Sequence, residues 1–171
     1  GINFISVDIL PAKHLTHQMD IRDFCKDGGP LSKMKTGSVQ MLWASPPCNN
    51  VSRANTTGIR DLAYVTQMIE CIIKVMDHLQ PKAWYIENPD GLLKSLPVMQ
   101  PFASSMLVVS QCHFGMPYRK DTNIWTSEYQ VLVQTREIWR CARGSECVYK
   151  ALTRKHQITA TTNRQPPTYH Q

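Results

Sequence analysis

The sequence predicts an α/β fold built on a mostly parallel sheet, and three observations lead there. Short apolar, β-branched or aromatic runs recur along the chain, a long amphipathic helix separates two of them, and a polar segment follows each of those two. Runs of this length and composition read as buried strands.

The runs are Ile2–Ile9, Val39–Ala44, Ala83–Glu87, Met106–Cys112 and Asn123–Thr126. Between the second and third, Leu62, Val65, Ile69, Ile72, Met76 and Leu79 recur at spacings of three and four, which gathers them on one helix face. Pro81 stops that helix and Lys82 leads into the next strand. Strand, helix, strand at this spacing is a βαβ crossover, so the sheet is at least partly parallel. Ligands in open α/β folds bind beyond the carboxyl ends of the strands, where Ser45–Asn50 and Glu87–Gly91 fall. Further on, Glu128–Trp139 fits either a strand or a helix. Cys141–Gln171 is basic, polar and poor in apolar residues, and reads as loops in need of a staple.

The bulk numbers set bounds on function. At 171 residues and 42% hydrophobic, the chain is one domain with enough material for a core. It has no run of 18 apolar residues, so no membrane-spanning helix is expected. The opening Gly1-Ile2-Asn3-Phe4 lacks the features of a secretion signal and an initiator methionine, which points to an intracellular chain cut from a longer one. Six cysteines are too sparse for a disulfide scaffold. The formal charge of +6 and pI near 9.1 suit a polyanionic partner.

Two segments carry candidate chemistry. In Ser45-Pro46-Pro47-Cys48, successive prolines fix φ and force a rigid exit from the strand, which places Cys48 well for nucleophilic attack. An isolated cysteine beside a turn is more often a core residue. The polar stretch of Asn49, Asn50, Ser52, Arg53, Asn55, Thr56 and Thr57 weighs against that, because it suits backbone and phosphate contacts. In Ala83-Trp84-Tyr85-Ile86-Glu87-Asn88-Pro89, a carboxylate follows large apolar residues, so Glu87 should sit in a half-buried cleft fit for acid–base or hydrogen-bonding work. A structural hydrogen bond in the turn is the plainer alternative.

These segments resemble the DNA cytosine-5 methyltransferases, and most of all a short viral and phage branch. Trp43–Cys48, Trp84–Leu93 and Phe114–Thr126 match its three blocks in order, with Glu-Asn-Pro where most members have Glu-Asn-Val. The resemblance runs from about Ser6 to about Arg164. It implies a Rossmann-like S-adenosylmethionine-dependent methyltransferase fold that lacks its first strand. Residues 1–127 would be the catalytic core, incomplete at its N-terminus, and 128–171 a basic Cys/His-containing C-terminal segment.

The resemblance also implies roles. Cys48 would attack carbon 6 of a flipped-out cytosine, Glu87 would hydrogen-bond the ring nitrogen and exocyclic amine, and Arg119 and Lys120 would contact the base and the cysteine loop. Asp8 would bind the ribose hydroxyls of S-adenosylmethionine, with Asp20 and Pro46 also on the cofactor side. Ser52 and Arg53 are the candidate DNA contacts. The family's glycine-rich first motif, Phe-x-Gly-x-Gly, is absent from the sequence. The expectation is therefore a DNA-associated intracellular methyltransferase whose 171 residues alone do not turn over.

Two alternatives stand beside that reading. Ser45-Pro46-Pro47 also resembles the opening of the exocyclic-amine methyltransferase motif, although that motif closes on an aromatic residue. A catalytically silent DNA-binding remnant would equally lack the cofactor loop. Separately, Cys112, Cys141, Cys147 and His156 form a candidate structural zinc set, with His113 as a substitute ligand. The Cys-x5-Cys spacing is looser than a usual zinc knuckle.

Overall fold

The computed structural model describes residues 3–56, 58–114, 116, 118–134, 140 and 141. Its elements are β1 (Val7–Asp8), β2 (His17–Gln18), α1 (Ile21–Cys25), β3 (Met41–Ala44), α2 (Leu62–Leu79), β4 (Ala83–Pro89), β5 (Met106–Ser110), β6 (Asp121–Thr126) and α3 (Tyr129–Gln134). Four 3-10 turns, Pro30–Lys33, Leu93–Ser95, Pro97–Ser105 and Gln111–Phe114, fill the connections.

The main sheet has the order β3-β4-β6-β5. β3 and β4 are parallel, while β6 lies antiparallel to both β4 and β5. Three of its strands therefore run one way and β6 alone is reversed. This is the α/β architecture with a partly parallel sheet that the spacing of runs around the helix predicts; the sheet is mixed, because β6 inserts antiparallel between β4 and β5. β1 and β2 pair in parallel as a separate small sheet, packed through α1 onto α2.

α2 spans the predicted residues because its ends are signalled locally. The Asp61 carboxylate accepts a hydrogen bond from the Tyr64 N–H at 2.8 Å, and Gln80 closes the helix in the left-handed region at φ 46°. Its apolar stripe, Val65, Ile69, Ile72, Val75, Met76 and Leu79, is buried. Val65, Ile69, Ile72 and Met76 pack with Val51, Ile86, Leu93, Met99 and Trp125. Each fully buried aliphatic side chain in such a cluster contributes roughly 1.5–3 kcal/mol. Ile86 opposes Trp125 across the β4–β6 ladder on the face toward α2. Alternation places Tyr85 and Glu87 on the other face, where Tyr85 stacks on exposed Trp43 with ring centroids 5.6 Å apart.

Several predicted boundaries move. The described part of the run Ile2–Ile9 is not a buried strand: among the described residues only Val7–Asp8 pairs, and Phe4, Ile5, Ile9 and Leu10 are all more than half exposed. Ser6 and Thr16 bond through their side chains there, and the Asp8 carboxylate takes the Leu10 N–H, so both ends of the ladder are closed off by side chains. β4 continues past Glu87 to Pro89, because β6 pairs with it as far as Thr122. β5 stops at Ser110, so Cys112 sits in a 3-10 turn instead of ending a strand. The ambiguous segment beginning at Glu128 is helical over Tyr129–Gln134.

Candidate active site

The Pro-Pro-Cys segment leaves β3 at the carboxyl end of the parallel pair, where Ala44 is in register with Ile86. Cys48 is half-buried and packs on the main core, and its carbonyl accepts the N–H groups of Val51 at 3.0 Å and Ser52 at 2.7 Å. The chain therefore turns immediately after the cysteine. Val51 anchors that turn by complete burial in the core.

Glu87 is half-buried on β4 and pairs in register with Ile124. The Cys48 loop and the segment after Glu87 are fastened to each other at several points. Buried Asn88 donates from Nδ2 to the Pro46 carbonyl at 2.8 Å, just before the cysteine. On its far side, the Leu92 N–H donates to the Val51 carbonyl at 2.8 Å, and Ser52 and Gly91 form an isolated β-bridge. The approach is so close that a Cβ on Gly91 would lie 2.2 Å from the Val51 oxygen. Only glycine fits at position 91 without moving backbone.

Asp90 adds charge to this junction. Its carboxylate binds Lys94 Nζ at 2.6 Å, and exposed Arg53 reaches it at 3.4 Å. Burial opposes its ionisation, but the hydrogen bond from Lys94 and the positive charges of Lys94 and Arg53 outweigh it and hold the carboxyl below its usual range. Arg53, a candidate DNA contact, thus bridges the two segments. Ser52 accepts the Ala54 N–H at its Oγ.

Arg119 and Lys120 lie just ahead of β6, near the same end of the sheet. Arg119 grips Asp121 through two hydrogen bonds, at 2.9 and 2.6 Å, and Ser110 Oγ donates to the same carboxylate at 2.6 Å. Burial raises the Asp121 carboxyl, but Arg119, Ser110 and Arg140 together lower it overall. Lys120 offers its carbonyl to the Gln111 N–H. The Asp121 carbonyl in turn accepts the Asp90 N–H at 2.8 Å, which joins this group to the Glu87 segment.

The cofactor candidates divide. Asp8 ends β1, is exposed, and commits Oδ1 to the Leu10 N–H. A carboxylate so placed at the end of a parallel strand fits hydroxyl recognition. Asp20 is engaged: it caps α1 through the Arg22 N–H, and both of its oxygens hold the Arg22 guanidinium. Those bonds, led by the side-chain hydrogen bond from Arg22, lower its carboxyl. Pro46 is buried with its carbonyl taken by Asn88. Of the three, Asp8 is the one at an exposed strand end whose second carboxylate oxygen takes no hydrogen bond among the described residues.

Of the zinc candidates, Cys112 and Cys141 come together in one buried cluster. Cys147 and His156 lie outside the described residues, and among the described residues no group of three or more His, Cys, Asp or Glu could hold a metal ion. The Nε2 atom of His113 is buried without a partner among those residues.

Sequence reasoning marked the segment Glu87–Gly91 but assigned no role of their own to Asn88, Asp90 and Gly91. The Pro-Asp-Gly run at 89–91 was an available turn signal.

The sheet with one reversed strand, and two polar segments interlocked at its carboxyl end, define a Rossmann-like α/β domain with its ligand face at the strand ends. The profile of the C-5 cytosine-specific DNA methylases matches residues 7–105, and the chain belongs to that family. It is 26% identical over 140 residues to a frog virus 3 protein named "Probable DNA (cytosine-5)-methyltransferase", a match that covers 74% of this chain. The chain spans 60% of that relative's length. A solved E. coli structure titled "putative DNA modification methyltransferase encoded within prophage" is similar at 16% identity and a TM-score of 0.44, covering 66% of this chain and 33% of the other.

Proposed function

We propose that this chain carries the base-reacting part of a DNA cytosine-5 methyltransferase, with Cys48 as nucleophile and Glu87 as the group that binds the target base. The observation that carries the reading is the fastening of the Cys48 loop to the Glu87 segment, before the cysteine through Asn88 and after it through Gly91 and Leu92. A nucleophile and a base-binding carboxylate must keep a fixed separation while a substrate enters between them.

In this reading the target cytosine leaves the duplex to reach the site. The Cys48 thiolate adds to carbon 6, which makes carbon 5 nucleophilic. Glu87 hydrogen-bonds the ring nitrogen and amine and stabilises the charge that the addition creates. Asp8 would hold the ribose hydroxyls of S-adenosylmethionine, which when bound would supply the electrophilic methyl group. Loss of the carbon 5 proton then expels Cys48 and restores the aromatic ring. Arg119, already held by Asp121, would present a fixed positive edge to the base or its phosphate. The partner is DNA and the place of action DNA-associated, in keeping with the basic composition.

The test uses DNA containing 5-fluorocytosine together with S-adenosylmethionine and the full natural protein. Fluorine cannot leave as a cation, so the reaction stops at the covalent adduct. A shifted band that disappears in Cys48→Ala supports the reading. No adduct, or product that survives Cys48→Ala, would overturn it, the latter in favour of methylation at the exocyclic amine.

A further inference from the structure

The described residues between Asn49 and Asp61 lie in neither helix nor ladder strand, yet several of their backbone groups gather around one side chain. The Arg60 guanidinium donates from Nη1 to the carbonyls of Asn50 and Ser52, both at 3.1 Å, and from Nη2 to the carbonyl of Asn55 at 2.5 Å. Arg60 is half-buried, and no carboxylate stands within ion-pairing distance of it among the described residues. A guanidinium with five N–H donors in one plane can gather several carbonyls from different points of a loop. The loop's own side chains complete the cage. Asn55 donates to the Asn49 carbonyl and accepts the Gly58 N–H, and Asn50 Oδ1 accepts the Asp61 N–H.

Arg60 is itself held in place. The next residue, Asp61, caps α2, whose apolar face is buried in the main core. The guanidinium therefore reaches from a fixed helix start into the loop that begins at Cys48. The loop's opposite margin is pinned to Gly91 and Leu92. Two of the three carbonyls on Arg60, those of Asn50 and Ser52, flank Val51, whose own carbonyl binds Leu92. The cation on one side and the Leu92 N–H on the other thus grip the same three residues, two to four positions after the cysteine.

We infer that Arg60 is a positioning residue for Cys48: it sets the shape of the nucleophile loop from within, without touching substrate. The inference rests on the nucleophile reading for its catalytic meaning, and on geometry alone for the loop's shape. An ammonium at the end of a flexible stem cannot serve three carbonyls spread round a plane, so lysine does not replace arginine here.

Amide hydrogen exchange on the full chain reads the loop directly, because the Val51, Ser52, Ala54 and Asn55 N–H groups are all bonded inside it. Arg60→Lys and Arg60→Ala are each expected to speed exchange at those amides roughly tenfold while α2 and β4 keep their protection. Alkylation of Cys48 by iodoacetamide rises in step, with Cys25 and Cys71 in the same molecule as unchanged references. Methylguanidinium in the buffer restores protection to Arg60→Ala and leaves Arg60→Lys unaltered. Unchanged loop exchange in Arg60→Ala, equal acceleration across α2 and β4, or failure of methylguanidinium to restore protection would each overturn the assignment. Failure of the nucleophile reading is seen separately, as a 5-fluorocytosine adduct that is absent or survives Cys48→Ala.

Discussion

Replacing Gly91 with alanine asks whether the contact between the two active-site segments is as tight as it looks. The new Cβ would lie 2.2 Å from the Val51 oxygen, 3.1 Å from the Val51 carbonyl carbon and 3.4 Å from the Ser52 Cα. All three are backbone atoms, so no side chain can swing aside, and the first distance is more than about 1 Å short of ordinary contact. Separating the segments stretches or breaks the 2.8 Å bond from the Leu92 N–H to the Val51 carbonyl, a loss of about 1 kcal/mol. Val51 is fully buried, and forcing its surroundings apart adds strain of about 1–3 kcal/mol. Alanine's smaller unfolded-state entropy returns about 0.4–1 kcal/mol. The net expectation is a loss of about 2 kcal/mol, or roughly thirtyfold in the folding equilibrium. Denaturant titration measures the loss, and iodoacetamide labelling of Cys48 should quicken because its loop is displaced. Stability within about 0.5 kcal/mol of the parent, together with an unchanged labelling rate, would refute the reasoning.

Other substitutions test neighbouring parts of the argument. Asn88→Ala removes a buried donor from the Pro46 carbonyl and is expected to cost about 1–3 kcal/mol in denaturant titration. Trp125→Ala empties the centre of the core, where the ring is 1% exposed, and should cost about 3–5 kcal/mol by the same measurement. The Asp90 carboxyl is lower in the folded state than in the unfolded chain. Its contribution is therefore complete above the unfolded value of about 4 and disappears as pH falls through the folded value. Asp90→Asn should accordingly melt below the parent at neutral pH, with the gap closing in acid; a gap of constant size across the titration would contradict the ion-pair account. Burial pushes the Cys25 thiol up to about 12, so mass spectrometry after alkylation at mildly alkaline pH should find Cys25 unmodified in the folded protein.

What could be read from the sequence was whatever is written in a repeating pattern or a local signal. α2 declared itself through six apolar residues at helical spacing and a proline beyond its end. β3 and β4 were legible as the apolar runs on either side of it. Cys48 and Glu87 stood out because each follows such a run. β2 and α1 were not legible, since two and five residues are too few for either period to show. The first run misled for a physical reason: Phe4, Ile5, Ile9 and Leu10 are apolar enough for a core, but their exposure depends on what packs beside them. Asp20 stands on the cofactor side by resemblance, and nothing in the sequence signals that its carboxylate is held by Arg22, two residues along. Gly91 and Arg60 act across gaps of some forty and ten residues. Gly91's partner lies outside any local window, and the groups on Arg60, though within ten residues, are backbone carbonyls that no residue type marks.

The joining of the Cys48 loop to the Glu87 segment also bears on how this domain can vary. Between Cys48 and Glu87 the chain passes through a long loop, all of α2 and the start of β4. If their separation were fixed only through that path, every small shift in the helix would carry over to the chemistry. The direct links at Asn88, Gly91 and Leu92 short-circuit the path. Substitutions that tilt α2 or alter its outer face can then accumulate without changing the spacing of the two groups. Mutational tolerance should therefore be high along the solvent side of the crossover and collapse at a few small or polar residues that look unremarkable in the sequence.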